Sequence, residues 1–440
     1  MIEYTQYQSS SENNYYITKS SAIFCYLFTL IFCMVELTPY LSRNLPGTIK
    51  LGIFILWFFS TICIDMKCFR RPLFLFPVLI AFYQLVLYML GMSNITILVL
   101  VDQWRLLFIP ACSYIILMKM PYRYCRSLFS SILFIFLLNL ISNVYLYSTQ
   151  IVSNTVSVGD VTLGAAARLT NAGDTSFVFI TSLLILLSIM FFAEIKDSKI
   201  KIVSILIVLL SVWYLFFLNS RAISIMLLLF AVSVFLMYLY VTKRNRIGKS
   251  IRLFLAIAIC VFLLLNITSI LSLLGKVKGN DWMSEKMTSL ISLLSGQGVG
   301  THGSLYARFR LYGYSISTFL SSPINFIMGI GKKTYESASI STLSSLGISG
   351  HSDVFDLAAQ YGIIGIALFS KYYISFISYV KSTADSKKAK FYTILVYSVV
   401  FAYGILNHIF YGNVLCICCL LFPLFVKVFT KSEMKEVYHG

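Results

Sequence analysis

Apolar runs long enough to cross a hydrocarbon core as helices recur along the whole chain. They lie near residues 22–40, 48–64, 72–91, 95–117, 127–147, 176–193, 201–218, 222–241, 253–274, 355–380, 391–409 and 412–427. A helix needs about 20 apolar residues to span a bilayer. In lipid a backbone must satisfy its own polar groups, which leaves only helices or a closed barrel. No stretch alternates with the two-residue period of a barrel strand. Only 12% of the 440 residues are charged, about half the share usual in soluble domains. The fold predicted is an all-α integral membrane protein of about twelve spans. The polar start MIEYTQYQSSSENNYY precedes the first run without a cleavable signal, so that run is read as a retained span.

Lys and Arg orient the spans. With the N-terminus in the cytoplasm, basic residues gather in every short cytoplasmic connection. Examples are Lys67, Arg70 and Arg71; Lys119, Arg123 and Arg126; Lys243, Arg244, Arg246, Lys249 and Arg252; and Lys381, Lys387, Lys388 and Lys390. This pattern accounts for most of the net charge of +18. It reads as orientation and attraction to anionic lipid, not as a nucleic-acid surface. The ten cysteines all map to spans or cytoplasmic edges, so no external disulfide framework is expected. Cys416, Cys418 and Cys419 lie within an apolar span and read as small packing groups.

Three regions follow from this reading. Residues 1–274 carry the first nine spans and the cytoplasmic N-terminal segment. Residues 275–354 form one long external loop. Residues 355–440 carry the last three spans and a cytoplasmic C-terminus, within a single membrane domain. In the loop, Asp281–Leu294 is expected as an amphipathic surface helix. Tyr306–Leu320 is expected as a helix stopped by Ser321-Ser322-Pro323. Ser337–Gly350 is Ser/Gly-rich and is read as mobile. A loop of this size suits an enzyme that covers its site outside the membrane better than it suits a transporter.

Five external basic residues have chemistry to offer. Arg168 stands before the sixth span, where an arginine also snorkels to lipid head groups. Arg221 occupies a two- or three-residue external turn, where positive charge is disfavoured and a turn needs no arginine. Arg308 and Arg310, two apart on a helix, point about 200° from each other, so one can enter a site while the other faces solvent or lipid. His351 precedes a helix for which Ser352 or Asp353 is the N-cap, and Asp353 and Asp356 suit the positive end of its dipole. Capping explains the acids but not the histidine, which the same dipole keeps neutral, as a general base requires. On a continuous helix Gly362 and Gly365 fall near the azimuth of His351, where small residues let helices approach. Arginine grips phosphate through its planar fork. The external acids form no D-x-D pair or hard-metal cluster; no metal or other cofactor is expected. Asp102 and Arg105 read as a self-neutralising pair on one helix, the alternative being a polar path through a transporter.

His351-Ser352, nine residues, then Gly362-Ile363-Ile364-Gly365 resembles the H-[NSQ]-x9-G-x-x-[GTY] signature of the bacterial O-antigen ligase and O-antigen or capsule polymerase superfamily. The NSRA turn at Arg221 and the stretch RFRLYGYSISTFLSSPINFIMGIG, an arginine-bearing helix before P-x5-G-x-G, are similar too; RLTNAGDTS at Arg168 matches less closely. The resemblance covers roughly residues 165 to 370. It implies a GT-C-like glycosyltransferase in the bacterial inner membrane, working on the periplasmic face without metal. The implied donor is a glycan on undecaprenyl diphosphate, with a chain-length regulator as a further partner. His351 would be the base, Arg168, Arg221 and Arg308 or Arg310 the diphosphate ligands, and Ser352, Asp353, Gly362 and Gly365 the support. The form HSD…YG leans to polymerase rather than ligase; a lipid-oligosaccharide transporter is the third reading.

Overall fold

The computed structural model describes residues 4–5, 17–148, 175–192, 195, 197–215, 228, 230–238, 304–333 and 340–430. Apart from a two-residue antiparallel pairing of β1 (Tyr4–Thr5) with β2 (Ile17–Thr18), the described secondary structure is helical. The chain is an all-α, multi-pass membrane protein: eight of the described helices are long and apolar enough to cross a bilayer. The expected span 253–274 falls outside the described residues, as do Asp281–Leu294, Arg168 and Arg221; of the expected span 222–241, residues 228 and 230–238 are described.

The first half comprises α1 (Lys19–Leu37), α2 (Pro39–Asn44), α3 (Gly47–Ile64), α4 (Pro72–Met89), α5 (Ile97–Lys119), α6 (Tyr122–Ser148), α7 (Thr175–Phe191) and α8 (Ser198–Trp213). Local chemistry sets their ends. Pro72 takes the first turn of α4, where a missing N–H costs nothing. Asp197 caps α8, accepting from the Lys199 N–H at 2.9 Å, and also holds Arg126 at 2.6 Å. Helix α1 packs on α3 and α6, α4 packs on α5, and α3 on α5. Their shared core is aromatic; Phe32 stacks on Trp57 at 4.1 Å.

The second half comprises α9 (Ser304–Leu320), α10 (Pro323–Met328), α11 (Ile340–Leu346), α12 (Asp353–Thr383) and α13 (Lys387–Leu406). The last span starts as α14 (Gly412–Leu415), passes through a π-helical stretch (Cys416–Leu421) and ends as α15 (Phe422–Thr430). This span lies at the centre of the bundle: 83% of its apolar window is buried, against 28% for α3. Cys416, Cys418 and Cys419 are all buried within it. The π-helical turn loosens the hydrogen-bond ladder, and the Tyr397 hydroxyl donates to the Cys418 carbonyl at 2.9 Å. At the C-terminal end of this span Lys427 Nζ donates to the Leu117 and Met120 carbonyls at 2.6 and 3.0 Å. A cation there closes the C-terminus of α5.

The expected helix over Tyr306–Leu320 forms as α9, ended by Ser321 and by Ser322, which caps α10 by accepting from the Asn325 N–H at 3.1 Å. The Ser/Gly-rich stretch differs from the expectation. Within it α11 is a helix, because Leu343 and Ile348 bury against Leu311 of α9. Two aliphatic anchors outweigh the turn-forming tendency of the serines around them.

Candidate active site

Helix α12 carries the candidate site at its N-terminal end. Ser352 is its N-cap, accepting from the Phe355 N–H at 3.3 Å, with Asp353 and Asp356 in the first turn. His351 is half-buried on the residue before the cap. Its main-chain N–H and that of Ser352 both donate to Ser349 Oγ at 3.1 Å.

Both acids do more than meet the helix dipole. Asp356 is buried, and its carboxylate ties three elements together. Oδ1 accepts from Ser315 Oγ of α9 at 2.6 Å and from the Ser349 N–H at 2.7 Å; Oδ2 accepts from the Gly350 N–H at 2.9 Å. Gly350 turns the chain with φ +64°, a left-handed conformation suited to glycine. The turn just before His351 is thus held by charge-assisted bonds to Asp356. Asp353 faces the connection between α13 and α14. Its Oδ1 lies 2.5 Å from His408 Nδ1, and Oδ2 accepts from the Ile409 N–H and, at 2.9 Å, from the Phe410 N–H.

The glycines behave differently from the expectation of small residues on one helix face. Helix α12 breaks at Gly362, whose φ of 59° and ψ of −163° are not helical. Hence the azimuth argument linking Gly362 and Gly365 to His351 fails: the helix is not continuous between them, and His351 precedes its first residue. Instead, the stretch Gly329–Gly331 crosses α12 just before the break. The Ile330 and Gly331 N–H groups donate to the Ala359 and Gln360 carbonyls at 3.0 and 2.9 Å, acceptors that a regular helix would have used itself. A Cβ on Gly329 would lie 2.4 Å from Gln360 backbone atoms, so the P-x5-G-x-G stretch requires glycine there for close approach. Gly365 packs on Tyr361 of its own helix and on Tyr83 of α4: a Cβ there would lie 2.1 Å from Tyr361 Cβ and 3.8 Å from Tyr83 Cε1.

Helices α4 and α5 brace this crossing. Tyr83 Oη donates to the Met328 carbonyl at 2.7 Å or the Tyr361 carbonyl at 3.0 Å. Gln84 Nε2 donates to Tyr361 Oη at 3.0 Å, and Gln84 Oε1 accepts from Trp104 Nε1 at 3.0 Å. Nothing in the sequence alone marks Tyr83, Gln84, Ser315 or His408 for these roles, although His408 is one of only four histidines and lies between two spans.

Of the five expected site residues, the structure places His351 just before the cap of α12 and Arg308 and Arg310 on α9, which packs against α12. The Arg310 side chain is exposed. A cation that the sequence reading passed over, Lys332, lies in the crossing segment and feels Asp353 and Asp356; burial lowers its pKa and the two acids partly restore it. Burial alone would lower the pKa of His408 too. The charge and hydrogen bond of Asp353, helped by Asp356, outweigh both burial and Lys332, so the net shift is upward from 6.5. Arg105 is salt-bridged to Asp102 at 3.3 Å, as expected, and also to Glu36 of α1. Among the described residues no group of three or more His, Cys, Asp or Glu is arranged to hold a metal ion.

A family model described as O-antigen ligase matches residues 205–370. That stretch includes Arg221, Arg308, Arg310, His351, Gly362 and Gly365 and leaves out Arg168. The match covers less than half of the chain and supports a likeness to the O-antigen ligase/polymerase superfamily over that stretch. No curated protein matches the chain.

Proposed function

We propose that this chain, a multi-pass membrane protein with the features of the O-antigen ligase/polymerase superfamily, is a polymerase of surface-polysaccharide repeat units in the bacterial inner membrane. It transfers a growing glycan from undecaprenyl diphosphate to a hydroxyl of an incoming lipid-linked repeat unit, on the periplasmic side. The observation that carries this reading is the mounting of His351. It stands at a capped helix start, fixed by Asp356 and Ser349, inside the stretch that matches the family.

In this reading His351 takes the proton from the acceptor hydroxyl as the oxygen attacks the anomeric carbon. The lipid diphosphate departs from the opposite face, so the anomeric configuration inverts. Arg168, Arg221 and Arg308 or Arg310 hold the diphosphate and neutralise the charge that grows on it. No residue is assigned to a metal or cofactor. A chain-length regulator would be the protein partner.

A second reading has its own support, because the matching family model is described as a ligase: transfer of the finished glycan to lipid A–core. The HSD…YG form favours the polymerase. Deletion of the gene, followed by electrophoresis of the surface glycan, separates the two. A polymerase defect leaves core plus one repeat unit. A ligase defect leaves bare core while lipid-linked polymer accumulates. Unchanged glycan with altered sidedness of the lipid-linked oligosaccharide would overturn both and indicate a transporter. His351→Ala should insert and fold like the wild type but extend no glycan; normal chain length in that variant would remove His351 from the mechanism.

A further inference from the structure

The connection between α13 and α14 reaches the same helix start as the site just described. Asp353 is two residues from His351. Its carboxylate receives the His408 imidazole at Nδ1 together with the Ile409 and Phe410 N–H groups. One acid therefore closes a cradle of three donors from another part of the chain. On the other side of the first turn, Ser352 Oγ donates to the Gly404 carbonyl at 3.4 Å, so residues 404–410 touch the cap as well as the acid.

We propose that His408 is a positioning residue of the transfer site: hydrogen-bonded to Asp353, it fixes the first turn of α12 and, through it, the imidazole of His351. The inference rests on the reading of His351 as the base. An Asp–His contact of this kind assigns the Nδ1 proton to the histidine and orients the ring. Here the orientation is used in reverse. The ring, anchored in the α13–α14 connection, orients the acid and so the helix.

The charged surroundings make the clamp sensitive to pH. From α12, Asp353 and Asp356 favour the imidazolium; from the crossing segment, Lys332 opposes it. The Tyr411 ring lies 6.2 Å from the imidazole. Glu36 of α1 touches Gly412 further along the same connection but is salt-bridged to Arg105. The pKa of His408 is raised above that of the unfolded chain. The clamp is therefore complete below about 6.5 and weakens as pH rises through the folded-state value.

The test uses the full chain in detergent or vesicles. Its substrate is lipid-linked oligosaccharide extracted from membranes of a deletion strain, and its second readout is NMR of the labelled histidine side chains. His408→Ala is expected to lower kcat at least tenfold with KM within twofold. His408→Asn keeps a donor at the Nδ1 position without the titration, so it should restore most of kcat and lose the alkaline decline of the pH profile. Asp353→Asn should move the His408 titration down. A His408→Asn variant with the wild-type pH profile, or a His408 titration unmoved by Asp353→Asn, would overturn the proposal. If His408→Ala does not fold, His408→Asn alone decides. Activity in His351→Ala would instead sink the base assignment, whatever His408 does. An inactive His351→Ala beside a normal His408→Ala would refute the positioning role alone.

Discussion

Gly362 and Ile327 cross with their backbones in contact: a Cβ on Gly362 would lie 2.4 Å from the Ile327 carbonyl oxygen. Two helices, α10 and α12, meet there main chain to main chain. The break in α12 is thus a joint built from both partners, and the outer half of the helix, with His351 at its tip, takes its direction from that joint.

Gly362→Ala tests the joint. The φ and ψ at Gly362 lie where other residues pay about 1–3 kcal/mol of backbone strain, and the steric overlap adds to this. The variant should melt at a lower temperature than wild type and lose glycan transfer. Gly313→Ala on α9, where nothing lies within 4 Å of the added carbon, should melt no lower than wild type. Equal melting curves for the two variants would show that the crossing carries no strain.

Asp356→Asn tests the fixing of the His351 segment. An amide nitrogen on either side of the side chain would face a donor: the Gly350 N–H, or Ser315 Oγ and the Ser349 N–H. Loss of charge and one donor–donor conflict should cost about 1.5–3 kcal/mol. Hydrogen exchange at the Ser349 and Gly350 amides should accelerate more than exchange elsewhere in α12. Uniform acceleration, or none, would mean that Asp356 does not anchor this turn.

Glu36 and Arg105 form a buried pair between α1 and α5. Arg105→Met alone strands a buried carboxylate and should cost about 3–5 kcal/mol. The double variant Glu36→Leu, Arg105→Met should recover most of that loss, because no buried carboxylate is then stranded between α1 and α5, while Asp102, the other partner of Arg105, is half exposed. Thermal melts of the two single variants and the double variant measure the coupling. Additive losses would show that each residue has separate partners that matter more.

Much of the fold was legible because hydropathy, helix caps and basic connections are local signals. Ser352 reads as a cap from the residues beside it, and α9 ends where Ser321-Ser322-Pro323 says it should. The pairings that shape the site are not local. Asp353 and His408 are 55 positions apart, and Tyr83 and Tyr361 are 278 apart. On a continuous helix Gly362 reads only as a small residue on one face. Only the meeting with Ile330 and Gly331, which supply the missing hydrogen bonds, makes a break there cheap. Asp353 looked fully explained by the helix dipole, which hid its second use.

The enclosed last span imposes an order on biogenesis. The helix that fills the middle of the bundle, Gly412–Thr430, is translated after every other described span. At ordinary synthesis rates it follows the end of α6 by on the order of tens of seconds. Through that interval the earlier spans reside in lipid without their axis, and the Lys427 plug for α5 and the Asp353 partner for His408 have yet to be joined. Filling of the bundle's middle is therefore a late event. A chain cut short before Gly412 would lack the helix around which the other described spans pack.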